Sequence, residues 1–164
     1  MSDEAVQHPF GPLRRKDREI VDRAEIDAIL AAGRVMRLAL SENDMPFLVP
    51  VFYGYDGTSI YFHSAKAGTK IRIMKKNPNI CFEASLDHGV IESDEPCDFE
   101  ARHRTVIGFG EIVFVEDEAE KIKALDMIVA KFSEVKFRYP KTKLKGTAVI
   151  RIDISSIKGK KHGF

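Results

Sequence analysis

Tyr61-Phe62-His63-Ser64-Ala65-Lys66-Ala67-Gly68-Thr69-Lys70 reads as a strand ending in His-Ser, a small-residue turn containing Gly68, and a helix that opens at Thr69-Lys70. That order gathers a hydroxyl, an ammonium and unpaired backbone N–H groups around one helix N-terminus, where the dipole favours an anion. A phosphate suits such a corner. An ordinary strand-to-helix turn with a solvated lysine uses the same residues, so the local sequence leaves both readings open.

Upstream, Asp56-Gly57 is a hairpin signal leading into a strand over residues 59–63. Phe47-Leu48-Val49-Pro50-Val51-Phe52-Tyr53 is the strand before it. Pro50 cannot donate to a ladder, which places that strand at an edge, at a bulge or beside a ligand. Met36, Leu38 and Leu40 alternate with Arg37, Ala39 and Ser41 as in a half-buried strand, and Glu42-Asn43-Asp44 is a turn. Further back, Asp22-x-x-Glu25 is a capping box for a helix of about three turns that buries Ile26, Ile29 and Leu30. Gly33 supplies a left-handed stop.

Downstream, the helix runs over residues 69–76 with Ile71 and Met74 on one face, and Asn77-Pro78-Asn79 ends it. Residues 80–86 form a strand, residues 87–100 a long acidic loop, and residues 105–116 a strand containing Gly108 and Gly110. Those glycines weaken a strand unless something packs closely against its backbone. Asp117-x-x-Glu120 caps a helix whose apolar face is Ile122, Leu125, Ile128, Val129 and Phe132. A basic, aromatic connection leads to a last strand over 148–154 and a basic tail. About six strands joined by hairpin-length turns, without regular βαβ alternation, indicate a mainly β architecture: an antiparallel barrel or sheet with peripheral helices.

The chain of 164 residues is 44% hydrophobic and 31% charged, which suits one soluble domain. Residues 1–20 read as an extended arm and 21–164 as the domain. A net charge of +1 provides no bulk field for nucleic acid or anionic lipid, so anion recognition has to be local. No apolar run approaches the roughly 20 residues that span a bilayer, and Met1 to Gly11 lack the apolar stretch of a signal peptide. Cys81 and Cys97 lack CxxC spacing, and Cys81 reads as a buried small hydrophobe. Together these features point to the cytoplasm.

Read with its motifs, this order of elements resembles the pyridoxamine 5′-phosphate oxidase-like superfamily, and within it the NimA-like, nitroimidazole-resistance proteins. The likeness rests on residues 33–40, 46–55 and 60–78, with Tyr-Phe-His-Ser-Ala, Gly-Thr-Lys and Asn-Pro, then on Arg104-Thr105-Val106-Ile107-Gly108-Phe109-Gly110 and Ile157-Lys158-Gly159-Lys160. It covers roughly residues 14–160. The resemblance implies a six-stranded antiparallel split barrel that holds FMN at a homodimer interface. Val49, Pro50, Val51 and Phe52 would run beside the isoalloxazine ring. His63 and Ser64 would stand near the ribityl and phosphate, and Thr69 and Lys70 would bind the phosphate. Arg104 and Thr105 would approach the flavin from a neighbouring strand. The oxidase branch often has arginine where this chain has Thr69, and its Trp-containing substrate region has no counterpart in a chain without tryptophan. Both departures argue against oxidation of pyridoxamine phosphate itself.

Each residue also has a plainer reading. His63 can be a polar strand cap, Thr69 an N-cap, Ser64 and Lys70 solvated groups, and Arg104 a surface partner of the acidic 87–100 segment. His63 is in addition a candidate proton donor, because imidazole titrates near neutral pH. His88, His103 and His162 lack metal-ligand spacing. The expectation is an FMN-dependent oxidoreductase that moves electrons from a small-molecule donor to a small organic acceptor, in the manner of a flavin reductase or nitroreductase. A flavin- or haem-binding carrier or sensor, with a histidine as axial ligand, is the alternative, and the deazaflavin F420 could replace FMN.

Overall fold

The computed structural model describes residues 8–164, and the first seven residues of the expected arm lie outside them. A two-residue strand, β1 (Glu19–Ile20), precedes helix α1 (Arg23–Ala32). Strands β2 (Val35–Glu42), β3 (Met45–Tyr55) and β4 (Ser59–Ala65) follow, then α2 (Thr69–Lys76). Next come β5 (Asn79–Ile91), β6 (Glu100–Val115), α3 (Glu118–Ala130), α4 (Lys141–Gly146) and β7 (Thr147–His162). The sheet order is β1-β7-β4-β3-β2-β5-β6, with β6 returning to β7. Every ladder is antiparallel, so β2 to β7 close a six-stranded barrel. Strand β1 adds to β7 beyond the reach of β4, through Glu19↔Lys160 and Ile20↔Gly159.

The period-two pattern fills the barrel. Met36, Leu38, Phe62, Phe82, Val106 and Ile150 point inward and are fully buried. Helices α1 and α2 add Ile26, Ile29, Leu30, Ile71, Ile73 and Met74 to the same core. A second cluster lies outside the barrel, where α3 and α4 cover Tyr61, Val115 and Val149 with Ala124, Leu125 and Leu144.

Several expectations need correction. Gly33 is extended (φ −64°, ψ 141°) rather than left-handed. A glycine is required there because any Cβ would collide with the Tyr53 hydroxyl. Asp22 caps α1 by accepting the Ala24 N–H at 2.9 Å. Glu25, however, does not complete a capping box, since its carboxylate holds the Lys161 ammonium at 2.9 Å. The acidic stretch read as a long loop is strand at its two ends, residues 87–91 and 100, with residues 92–99 connecting them. β5 and β6 continue as a ribbon through Val90↔Ala101 and Ile91↔Glu100, with a register shift between Asp87 and Val90. The exposed face of that ribbon tolerates charge, which masks the strand period in the sequence.

Two further differences lie toward the C-terminus. The connection before the last strand contains α4, anchored by buried Leu144. β7 then runs on through the basic tail, where Lys161 pairs with Glu25 and the His162 ring lies against the Glu100 carboxylate. Phe132 falls beyond the end of α3 and leaves its apolar face. The expected close packing at Gly108 is present: a Cβ there would strike the Phe82 ring and lie 2.9 Å from the Ser156 carbonyl oxygen.

Candidate functional site

β3 and β4 pair only over Tyr53↔Phe62, Gly54↔Tyr61 and Tyr55↔Ile60. Continuing that register would set Phe52 against His63 and Val51 against Ser64, but the strands part there. β3 goes on with β2 alone, through Phe52↔Val35, Val51↔Met36, Pro50↔Arg37 and Val49↔Leu38. β4 goes on with β7, through His63↔Val149 and Ser64↔Ala148. One edge of residues 49–52 is therefore left without a strand neighbour, facing a cleft with His63 and Ser64 on its far side. Pro50 belongs on such an edge, because it has no N–H to leave unpaired. Val51 is buried and Val49 half-buried, whereas Pro50 and Phe52 are exposed.

The helix that follows β4 opens at the same corner. Gly68 is its N-cap at φ 116°, a conformation that disfavours L side chains, and it provides no capping side chain. Thr69 is the first helical residue and not the cap. The first helical bond runs from Arg72 N–H to the Gly68 carbonyl at 3.0 Å, so the leading amides of α2 have no intrahelical partner. Lys70 is half-buried, with its ammonium 5.9 Å from the centroid of the Phe62 ring. Burial pushes its pKa down. The His63 imidazole is also held below its ordinary value, by desolvation first and by the Lys70 charge second. Four sequence candidates, His63, Ser64, Thr69 and Lys70, thus share one corner with the free edge of Val49, Pro50, Val51 and Phe52. The corner is cationic, has unpaired donors and lies open to solvent, an arrangement suited to an anionic phosphate.

Arg104 and Thr105 lie elsewhere on the same chain. The β6 residue level with His63, through Val149, is Val115. The run from Arg104 to Val115 covers roughly 35 Å of strand. Arg104 stacks over Phe164 at 4.2 Å and approaches Glu25 at 3.8 Å, so its acidic partner is on α1 and not in the 87–100 segment. Its Nε is buried without a hydrogen-bond partner. The Thr105 hydroxyl is engaged by Ser85 Oγ at 2.8 Å and His103 Nδ1 at 3.0 Å.

Other residues beside the cleft escape a linear reading. Phe132 packs edge-on against Phe52 with centroids 4.8 Å apart, and the Arg34 guanidinium lies 5.6 Å from the Phe132 ring. Next to it, the Lys131 ammonium donates to the carbonyls of Leu30 and Gly33 and sits 3.7 Å from the Tyr53 ring centroid. Burial lowers its pKa to about 8. No periodicity links positions a hundred residues apart, so only the fold could bring these groups together. Cys81 is half-buried, and burial raises its thiol pKa. Among the described residues no helix is long and apolar enough to cross a membrane.

Comparison with known proteins places this architecture. An uncharacterized protein of Rhizobium meliloti (strain 1021) is 34% identical over 64 residues, which is 39% of this chain and 42% of that relative. The chain therefore spans less than half the length of that curated relative. The structure of a candidate 5-nitroimidazole antibiotic resistance protein from Bacteroides thetaiotaomicron VPI-5482 is 26% identical with a TM-score of 0.77, covering 87% of this chain and 85% of that one. The flavocytochrome Anf3 from Azotobacter vinelandii shares the fold at a TM-score of 0.82 and 23% identity, covering 99% of this chain and 75% of that one. An FAD and heme binding protein from Mycobacterium smegmatis does so at 0.80 and 18%, covering 90% and 75%. The family model described as pyridoxamine 5′-phosphate oxidase matches residues 22–161, the whole span from the α1 cap to the end of the barrel, and the chain belongs to that family.

Proposed function

We propose that this protein binds FMN in the cleft between β3 and β4 and acts as an oxidoreductase toward a small organic acceptor. The observation that carries the reading is the end of the β3–β4 ladder at Tyr53–Phe62, beside a helix N-terminus with no capping side chain. When bound, the flavin would supply reversible electron uptake and release. Lys70, the Ser64 and Thr69 hydroxyls and the leading amides of α2 would hold the phosphate. The backbone of Val49, Pro50, Val51 and Phe52 would orient the ring. His63, whose pKa desolvation and the Lys70 charge lower, presents one ring N–H and one ring lone pair when neutral, and in that form it can give a proton to a bound acceptor or take one.

The reading includes a homodimer that covers the cleft. Leu48 and Phe52 on β3 and Ile107 on β6 are exposed apolar residues that a second copy would bury. Arg104 and Thr105 of the partner subunit would then reach a flavin that a chain's own pair cannot.

The test is the visible absorbance of the purified protein, with FMN titration of any unloaded fraction. Flavin absorbance or saturable uptake is expected, followed by anaerobic reduction with NADH or NADPH and repeated reoxidation by a nitro compound or quinone. Colourless protein that takes up no FMN would show the reading to be wrong. A carrier without turnover is the second reading, favoured by fold neighbours named as a flavocytochrome and as an FAD and heme binding protein. Stoichiometric bleaching without turnover, or a Soret band on haem addition, would select it.

A further inference from the structure

A second cavity, of about 320 Å³, lies where the turn after β4, the flank of α2, the end of β6 and the start of α3 meet. Its floor is apolar, formed by Ile71, Phe114 and Val149, and three lysines line it: Lys66, Lys75 and Lys121. Glu116 is the one carboxylate lining it among the described residues. Lys70 is not part of it. On α2, Ile71 and Lys75 stand one turn apart on one face, while Lys70 is turned away by roughly 100° from Ile71.

Lys121 makes this cavity unusual. It is only 8% exposed, one of two buried polar or charged side chains among the described residues. Its stem is packed away while its ammonium stays accessible, the usual arrangement of a long charged side chain, and that ammonium is free to meet a ligand. Among the described residues no acid lies within 4.0 Å of its ammonium, while other lysines of the protein do have such partners: Lys76 reaches Glu42 at 2.7 Å and Lys161 reaches Glu25 at 2.9 Å. Lys66 and Lys75 likewise have no such partner among the described residues. Three lysines therefore line one cavity with a single carboxylate. A bound anion would pair with them, and the apolar lining would hold a small hydrophobic body attached to it.

We infer that this cavity is a binding site for a small phosphate monoester with an apolar body, separate from the β3–β4 cleft. Lysine ammonium groups act as point charges toward phosphate, and three of them match a dianion better than a singly charged carboxylate. The volume is at the lower end of those that hold small ligands, so the body is about the size of one ring. The inference stands without the flavin reading, because no residue of the cavity belongs to the cleft.

The test uses phenyl phosphate as probe and isothermal titration calorimetry on the full chain with FMN added in excess. Saturable binding is expected, weaker by roughly tenfold in Lys121→Met and unaltered in Lys70→Ala. Benzoate should bind more weakly than phenyl phosphate. Lys75→Met, at an exposed position, should also weaken binding and serves if Lys121→Met fails to fold. Absence of saturable binding, or equal affinity in wild type and whichever lysine variant folds, would overturn the proposal. So would loss of phenyl phosphate binding in Lys70→Ala, which would place the probe in the other site.

Discussion

Tyr53 and Phe62 face each other across β3 and β4, and beyond this pair the two strands take different neighbours. Both side chains are fully buried, so the point of parting is held from inside the barrel. The cleft is thus a consequence of the core, and its mouth carries the polar groups of His63, Ser64, Thr69 and Lys70. Phosphate recognition should accordingly depend on the few groups at its mouth. Lys70→Ala combined with Ser64→Ala should weaken FMN binding by about 1.5–3 kcal/mol for each charge-assisted bond lost. Fluorescence titration of FMN measures this, and unchanged affinity would mean that the phosphate sits elsewhere.

His63 should titrate below pH 6.5, since burial and Lys70 both disfavour its cation. As pH falls through 6.5, the unfolded chain takes up this proton before the folded chain does. His63 therefore subtracts stability on the acid side and contributes nothing above 6.5. His63→Gln should flatten that acid loss in urea melts. FMN binding should raise the imidazole pKa by placing phosphate beside Lys70, visible as a midpoint moved to higher pH in the NMR titration. An unmoved midpoint would separate His63 from the phosphate.

Lys131 is the alkaline counterpart. Its folded pKa of about 8 lies below the ordinary 10.5, so between these values the unfolded chain binds more protons than the folded one. Stability should rise across that interval relative to Lys131→Met. Tyr53, which faces the ammonium, stays protonated there because burial and Glu83 raise its pKa. Parallel urea curves for wild type and variant from pH 8 to 10.5 would contradict this.

Gly108→Ala should cost about 1–3 kcal/mol, since the added methyl has the Phe82 ring and the Ser156 carbonyl against it. A lowered urea midpoint with an unchanged slope is the expected result.

Leu48 is 62% exposed on the free half of β3. If that face meets a second copy, Leu48→Glu should move the protein in sedimentation analysis from twice the chain mass toward a single chain. Wild-type protein that already sediments as one chain would rule the dimer out.

The strand and helix signals near the centre of the chain were strong because each local cue agreed with its neighbours. Asp56-Gly57 made its hairpin, and residues 69–76 form α2 as the sequence reading expects. Signals failed where polar residues lie on paired but solvated strands, as at Asp87 opposite His103 and through the lysines of β7. They failed also at Gly33, whose glycine answers a tyrosine on another strand rather than a turn.

Residue order alone located most of the barrel's strands, the inward face of the strand at 36–40, and the His-Ser, Gly and Thr-Lys stretch, since alternation, turns and caps act over a few neighbouring residues. Tertiary structure decided where β3 leaves β4, which ring packs on Phe52, and why Arg104 stands far from the corner in its own chain. It also decided that three lysines from separate elements line one cavity. Those relationships join residues distant along the chain, and only closure of the barrel brings them into contact.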